Sequence, residues 1–400
     1  MDEGLGAVKL GYVVKVRSGD SPRGLGDGAF PVFGAGGRMG SVGAVNTRPG
    51  QLLIGRVGTV GSVRLLHEPA WATDNTVVVT PIGVDERWLA YCLMGARLGH
   101  DIVGSTAQPL ITGSDIKRVQ VASVSVAQQR RIADFLDDRV ARIDQIITAR
   151  QQQIRKLDAL AARLSYEAVV GAHEVDRRPS ALTWTPTVPV DWPVLTVESQ
   201  FEVELGKMLD ESRQTGDHPV RYLRNTNVQW DVIEVDDLKS MDIAPHEFDR
   251  YSVKAGDLLI CEGGQPGRAA LWDGRIEEMG FQKALHRART RGRSAPEWLL
   301  ECLRVCVDLN VFAVENGQST IGHLTNEQLR ATRFPFPERA EQLRLMHGLS
   351  VSRRAVSAAR DTSEMSIARL TEYKQSLITA AVTGEFDVTT ASTRIPGEQA

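Results

Sequence analysis

Apolar residues recur in alternating steps of four and three along residues 126–170, a stretch without glycine or proline that ends at Gly171. This spacing is typical of the seam of a coiled coil. A matching seam, with some polar residues, precedes Gly384. The seam positions are Ile143, Ile147, Arg150, Ile154, Leu157, Ala161, Leu164 and Ala168, and then Val356, Ser363, Ile367, Leu370, Leu377 and Ala381. The pattern predicts two long antiparallel helices that pack as a coiled coil.

The residues before each predicted helix have a different character. They are rich in glycine, β-branched residues and turn signals, as in the glycine run 34–37 and the strand-like run 76–79. Such patterns indicate short strands joined by tight turns. The predicted fold class is therefore α/β, with two α+β globules separated by the two long helices.

The two halves of the chain are related by an internal repeat. The run 50–54 continues through Gly58 to Gly61, and the run 256–260 continues through Gly264 to Gly267 with the same spacing. The repeating unit is roughly 210 residues long, far above the length of a solenoid repeat. The sequence therefore predicts a duplicated domain pair with pseudo-twofold symmetry.

Composition and turn signals set the expected boundaries. Four prolines between positions 179 and 193 indicate a connector between the two halves. The expected segments are a first globule (1–122), a first helical region (123–172), a connector (173–195), a second globule (196–337), a second helical region (338–388) and a tail (389–400). The approach at 192–193 has no counterpart before Leu10, which indicates a first globule that is shorter or that starts late.

Composition narrows the class of protein. The 400 residues include 42% hydrophobic and 24% charged residues, as expected for a folded globular chain. No apolar run is long enough for a bilayer and no signal sequence is visible, so we expect a cytoplasmic protein without a membrane partner. The four cysteines are too scattered for a disulfide framework or a zinc site, so we expect reduced thiols and no metal. A net charge of −3 argues against a uniformly basic surface.

In its domain order and motifs the chain resembles the DNA-specificity subunit of type I restriction-modification systems. The motifs are the run 334–342 (Phe-Pro-Phe-Pro-Glu-Arg-Ala-Glu-Gln), the Gly-Asp-Leu-Leu-Ile run at 256–260, and the run 377–384. The resemblance covers nearly the whole chain and implies two target recognition domains that read a bipartite site in double-stranded DNA. It also implies that the helices act as a spacer, that two methyltransferase (M) subunits bind, and that restriction (R) subunits can join.

The first half departs from the family pattern in two places. Gln128 stands where the family usually has glutamate, and the run 124–126 replaces a Pro-aromatic-Pro run. The expected methyltransferase-interface residues are Gln128, Gln129, Glu341 and Gln342.

Side chains that can read bases or hold phosphates lie near glycines and strand turns in both globules. The candidate DNA-binding residues are Arg23, Arg38, Asn46, Arg56, Thr59 and Gln108 in the first globule, and Arg224, Asn225, Asn227, Gln265, Arg268, Gln282, Lys283 and Gln318 in the second. The turns after Ile54 and Ile260 differ in chemistry, so the two half-sites should differ.

Each pattern also has a plainer interpretation. Single Arg and Asn residues in turns often serve as surface charges or turn caps. The six repeated glycines indicate turns and bulges, since no phosphate-loop motif follows them. The alternating arginines 287, 289, 291 and 293 could neutralise phosphates, or could protect a solvated edge strand.

No catalytic motif is recognisable, so we expect neither catalytic residues nor a cofactor. The His246-Glu247 pair lacks the second histidine of a zinc protease, and no nucleophile elbow or adenine-methyltransferase motif is present. The favoured function is a non-enzymatic DNA-binding subunit. The alternatives are a protein-interaction scaffold that has lost specific DNA binding, and a nuclease or transferase that acts alone.

Overall fold

A computed structural model describes residues 6–22, 24–26, 28–98, 110–209, 216–312 and 322–388. Its contacts divide the chain into two compact units. Unit 1 contains Met1–Gln152 and Ser363–Ala400, and unit 2 contains Gln153–Thr362. Each unit therefore includes one globule, part of the first long helix and part of the second.

The globule of unit 1 contains nine short strands in the described residues. They are β1 (Ala7–Lys9), β2 (Val14–Ser18), β3 (Phe30–Gly34), β4 (Gly37–Val42), β5 (Leu52–Gly55), β6 (Val63–Leu65), β7 (Trp71–Ala72), β8 (Thr76–Pro81) and β9 (Gln120–Ala122). They form a four-stranded sheet in the order β2-β8-β5-β6, a three-stranded sheet in the order β4-β3-β7, and the pair β1-β9. The described part of this globule also contains helices α1 (Glu86–Gly95) and α2 (Gly113–Arg118) and a 3-10 turn (Leu10–Tyr12).

Unit 2 contains thirteen strands in the described residues. They are β10 (Arg177–Pro179), β11 (Thr187–Pro189), β12 (Val194–Thr196), β13 (Phe201–Leu205), β14 (Pro219–Leu223), β15 (Val228–Gln229), β16 (Val232–Ile233), β17 (Lys239–Asp242), β18 (Leu258–Cys261), β19 (Ala269–Leu271), β20 (Met279–Phe281), β21 (Leu285–Thr290) and β22 (Arg333–Pro335). Its helices are α4 (Val197–Gln200), α5 (Pro245–Tyr251), α6 (Pro296–Asp308) and α7 (Asn326–Ala331), with a 3-10 turn at Asn225–Asn227.

The repeat seen in the sequence is also a repeat of sheet topology. The four-stranded sheet β13-β21-β18-β19 matches β2-β8-β5-β6, and the three-stranded sheet β17-β14-β20 matches β4-β3-β7. In both three-stranded sheets the last pair is parallel, and the pair β12-β22 matches β1-β9. The two globules therefore share one frame.

The central strands are apolar because both of their faces are covered. In β5, Leu52 and Ile54 pack in the cluster that contains α1, and Leu53 packs against the three-stranded sheet. In β18, Leu258 and Ile260 join the cluster that contains α6, and Leu259 faces the other way. A strand buried on both faces is expected to have a continuous apolar run.

The repeated glycines are turn residues, as the sequence predicts. Gly50, Gly58, Gly61, Gly256, Gly264 and Gly267 all have positive φ angles, between 71° and 90°. At Gly267 a Cβ atom would also lie 2.7 Å from Cε2 of Phe312, so a side chain there would clash as well as strain the backbone.

The two long helices are α3 (Val126–Val169, 44 residues) and α8 (Arg339–Thr383, 45 residues). Every predicted seam position in them is buried or half-buried. In unit 1, Lys374 Nζ lies 2.6 Å from an Asp144 carboxylate oxygen. In unit 2, Arg360 Nε lies 3.3 Å from Asp158. Both pairs have the same antiparallel register, so the predicted coiled coil is confirmed.

The segment expected to be an irregular connector contains a hairpin, β10-β11, followed by strand β12. The Arg177 guanidinium donates hydrogen bonds to the carbonyls of Val170, Gly171 and Thr187, which ties the hairpin to the end of α3. Strands of three residues that contain proline give almost no periodic signal, so the sequence pattern misses them.

Neither interpretation of the alternating arginines fits Arg287. This residue is not available to a phosphate, and its strand is not at the edge of a sheet. Strand β21 lies between β13 and β18, and Arg287 is completely buried. Its guanidinium donates to the carbonyls of Asp249, Arg250 and Ser252 and to Glu202, while Arg289 pairs with Asp257. Desolvation lowers the pKa of Arg287.

Two expectations from composition can be compared with the structure. Cys92, Cys261, Cys302 and Cys306 are all free and buried, as expected for reduced thiols. Among the described residues, no helix has an apolar stretch of the length that a bilayer crossing requires.

Replacing Arg287 by Ala should destabilise unit 2 strongly, because it leaves the buried Ser252 carbonyl and the part-buried carbonyls of Asp249 and Arg250 without their donor. Buried groups that lose their partners cost ~1–3 kcal/mol each, so we expect a loss of about 3 kcal/mol or more in the free energy of unfolding, measured by urea denaturation. The control Arg291→Ala, at an exposed position, should change it by less than about 0.5 kcal/mol. Equal effects of the two variants would contradict the structural role of Arg287.

Candidate nucleic-acid interface

In unit 1, three segments meet at the end of the four-stranded sheet. In the turn after β5, Arg56 N donates a hydrogen bond to the Asn75 carbonyl, 3.0 Å away. Thr59 Oγ1 donates to the carbonyl of Ala35 at 2.6 Å, which joins this turn to the turn between β3 and β4. Ile111 N donates to the Arg56 carbonyl at 3.3 Å. We call this set of segments, residues 35–38, 56–62, 73–75 and 111, the first corner.

Unit 2 has the same arrangement. Glu262 N donates to the Ala284 carbonyl at 3.0 Å, and Leu324 N donates to the Glu262 carbonyl at 2.8 Å. Asn225 Nδ2 donates to the Gly263 carbonyl at 2.8 Å. We call residues 224–227, 262–268, 282–284 and 324 the second corner. The backbones of the two corners are equivalent. In unit 2 Cys261 pairs with Leu285, and in unit 1 Gly55 pairs with Thr76 in the same way.

The side chains at the two corners differ in chemistry. At the first corner Thr59 is occupied by its bond to Ala35, and Arg56 donates at 3.3 Å to the Asp74 carbonyl and at 3.4 Å to the Ile111 carbonyl. Arg38 is exposed nearby. The first corner therefore offers guanidinium groups beside one exposed carboxylate, that of Asp74.

At the second corner the exposed groups include an amide and an ammonium. Gln265 and Lys283 are exposed, and within the described part of the chain neither side chain has a hydrogen bond or ion pair. Arg268 is not available in the same way, because its Nη2 atom donates at 3.1 Å to both the backbone and the side-chain oxygen of Asn225. The neighbour Gln282 is half-buried.

Several predicted DNA-binding residues hold loops in place. Asn46 bonds reciprocally to the backbone of Ala72, with its Nδ2 2.9 Å from the carbonyl and its Oδ1 2.7 Å from the N–H. Asn227 is buried and accepts from Arg224 N, while the Arg224 guanidinium pairs with Asp237 at 2.7 Å and lowers the pKa of that carboxyl. These side chains shape the loops, which is the turn-cap interpretation. Arg23, Gln108 and Gln318 lie outside the described residues.

The prediction missed Arg64, an exposed residue on β6. Its guanidinium stacks over the ring of Phe33, 4.8 Å from the centroid, next to the first corner. The signal was available, because Arg64 is the polar residue between the half-buried Val63 and Leu65 and therefore points away from the core.

The expected methyltransferase-interface residues fall into two groups. Gln129 and Gln342 are buried and hydrogen-bonded within this chain, and their expected contact with a methyltransferase stays a prediction. Gln128 is exposed and forms a capping box with Ser125. Glu341 pairs with Arg344, whose hydrogen bonds lower the pKa of that carboxyl.

Glu341 also belongs to a group of potential metal ligands with His173 and Glu174. Their ligand atoms lie within 4.8 Å of one another at the surface of unit 2. Because Arg344 already neutralises the Glu341 carboxylate, the group acts as a surface ion-pair cluster.

The family model of the type I restriction modification DNA specificity domain matches residues 3–156. No curated protein matches the chain. A chain from the structural study of complex assembly and conformational transition of the type I R-M system has a TM-score of 0.71 at 15% identity, covering 96% of this chain and 99% of that one. The HsdS subunit from Thermoanaerobacter tengcongensis has a TM-score of 0.51 at 14% identity, with coverage of 96% and 98%.

These likenesses to solved structures show the fold, and the family match identifies the domain within it. The duplicated topology, the paired long helices and the match over residues 3–156 agree with one another. Residues 3–156 therefore match the type I restriction modification DNA specificity domain, and the chain shares the fold of these solved structures.

Proposed function

We propose that this chain reads a bipartite site in double-stranded DNA with its two globules and positions two methyltransferase subunits, and in some complexes restriction subunits, without catalysing a reaction itself. The observation that carries the proposal is the pair of corners, in which one backbone frame presents two different sets of side chains. A protein that reads two different half-sites needs this combination of equal geometry and unequal chemistry.

The free groups at the corners suit the major groove, where each base pair has its own pattern of donors and acceptors. Arg38 at the first corner is of the type that pairs with guanine, and Gln265 at the second corner is of the type that pairs with adenine. Lys283 can bind a guanine edge or a phosphate. The two half-sites should therefore differ in base composition.

Charge limits how the second globule can bind. Acidic residues outnumber basic ones in residues 196–337, so its affinity for DNA depends on local groups such as Lys283, Arg291 and Arg293. This acidity is also the observation that favours the second candidate function, a protein-interaction scaffold of the same fold. Weak binding that barely changes with salt would support the scaffold, because few phosphates would then be neutralised.

The methyltransferase subunits need surfaces other than the buried glutamines. Gln128 is exposed at the start of α3, and Leu343, which is 44% exposed, lies on the first turns of α8. We propose that the start of each long helix contributes to one methyltransferase contact. The length of the helices, about 66 Å at ~1.5 Å per residue, would set the number of unread base pairs.

The central experiment passes the tagged chain and its copurified partners through a randomised duplex library, followed by sequencing of the retained DNA. We expect a split motif with a fixed gap and a methyltransferase among the copurified proteins. Retained DNA without a motif, or a partner that is not a methyltransferase, would favour the scaffold.

Replacing Gln265 by Ala should relax the preference at one base position of the second half-site. The loss of a good side-chain contact to a base costs ~1–3 kcal/mol, so we expect a reduction of roughly tenfold to a hundredfold in discrimination at that position. If the ammonium of Lys283 binds a phosphate, Lys283→Ala should lower by about 1 the slope of the logarithm of DNA affinity against the logarithm of salt concentration.

The matched control for Lys283→Ala is Lys239→Ala, which removes the same charge from an exposed position on β17, outside the second corner. It should leave both the motif and the salt slope unchanged. If the two lysine variants behave alike, the second corner is not the DNA-facing surface.

A heptad added to both long helices should lengthen the gap in the recognised site. Because Asp144 pairs with Lys374, matching insertions belong between Thr148 and Ala149 and between Arg369 and Leu370. Seven residues add ~10.5 Å, or about three base pairs. An unchanged gap in the retained DNA would contradict the spacer role, and the single insertion in α3 serves as a control that should disrupt helix pairing.

A further inference from the structure

We infer that Gln129 and Gln342 are positioning residues: each fixes the orientation of one recognition domain on the long helix to which it is joined. The structural part of the inference stands on contacts within each unit. Its consequence for DNA recognition rests on the proposed function.

Gln342 connects three segments of unit 2. Its side chain lies on the first turn of α8 and is fully buried. Oε1 accepts from Ala295 N at 2.8 Å, and Ala295 is the N-cap residue of the globule helix α6. Nε2 donates to the Pro337 carbonyl at 2.7 Å and to Ser294 Oγ at 3.2 Å. One amide therefore joins the globule, the turn before the long helix and the long helix itself.

Gln129 repeats this arrangement in unit 1. It is 4% exposed, and its Oε1 accepts at 2.9 Å from the N–H of Asp85, the N-cap residue of α1. Its Nε2 donates at 3.1 Å to the carbonyl of Val124, which lies five residues earlier, as Pro337 does relative to Gln342. We call this set of hydrogen bonds from one buried glutamine amide the bridge. It is a duplicated feature of the fold.

Glutamine is suited to this joint because its amide both donates and accepts. A glutamate would bring a buried charge and lose the donor, and an aliphatic residue would leave a backbone N–H and a carbonyl without partners. The neighbouring positions Gln128 and Glu341 are more exposed and differ between the halves, as expected for residues outside the bridge.

The other contacts across each joint do not determine one orientation in the same way. Apolar packing of Leu136 in unit 1, or of Leu345 in unit 2, is non-directional. The remaining polar ties differ between the units, with Tyr91 bonded to Asp137 in unit 1 and Glu301 bonded to Arg353 in unit 2. A satisfied buried amide is the directional element that both joints share.

Orientation at these joints matters for DNA recognition. One base pair changes the position of a half-site by ~3.4 Å and its rotation about the DNA axis by roughly 35°. A recognition domain that can change its orientation on the long helix could still contact a half-site displaced in this way. A domain locked by the bridge could not, so the bridge would make the chain selective for one gap length.

The first test measures the joint without DNA. Spin labels at Arg354→Cys on α8 and Arg291→Cys on the globule report a distance within unit 2, and both positions are exposed while the native cysteines are buried. In the full chain we expect one narrow distance peak. Gln342→Met, which keeps the length of the side chain but removes its hydrogen bonds, should abolish that single narrow peak. Glu341→Gln, one residue away, should retain it.

An unchanged narrow peak in Gln342→Met would overturn the inference. So would loss of the fold of unit 2, seen by circular dichroism, because the glutamine would then be needed for folding and not for positioning. Gln129→Met, with Gln128→Ala as its control and labels in unit 1, tests the duplicated bridge independently.

The second test is the library selection with the complex of the full chain and its copurified partners. For Gln342→Met we expect the same two half-site motifs as in the parent, with gaps one base pair longer or shorter now retained about as well as the parent gap. A uniform loss of binding at all gaps would contradict positioning. A parent chain that selects no split motif would refute the proposed function, while the distance measurement would still decide the role of the glutamine.

Discussion

The antiparallel pairing of the two long helices is the constraint on which both cores depend. The core of unit 1 contains Ile132 from the start of α3 and Ile378 from the end of α8. The core of unit 2 contains Val169 from the end of α3, with Leu345 from the start of α8 packed against it. Neither core is complete without both helices, so the chain must bring together residues that lie more than 170 positions apart before either globule is fully packed.

Duplication gives the molecule two equal frames, and the turns carry the differences between them. The strands of the two frames have the same order and the same parallel pair, because their apolar residues face equivalent neighbours. The corner side chains face solvent and are free to differ without a cost in packing, as Thr59 and Gln265 do. This separation of frame and surface explains how one fold could serve two recognition tasks.

Several polar side chains near the turns of this protein hold loops in place. Asn46, Asn227 and Arg268 are of the residue types that read bases, yet each is bonded to its own chain. A side chain that stabilises a loop can still affect DNA binding through the position of that loop. The candidates for direct contact with bases are therefore fewer than the polar residues near turns.

The sequence alone was sufficient for the long helices, the duplication and the turn glycines, because these depend on periodicity and on local backbone conformation. The predicted seam positions are buried or half-buried in both helices, and the repeated glycines have positive φ angles.

Only the tertiary structure decided which polar residues are buried. Arg287 is one member of an alternating basic run, but strands on both sides and nearby carbonyls enclose it. Gln342 stands beside Glu341 in one motif, yet one is a buried bridge and the other a surface ion pair. The partners of these groups come from distant segments, and burial of a polar side chain depends on those partners, which no local pattern contains.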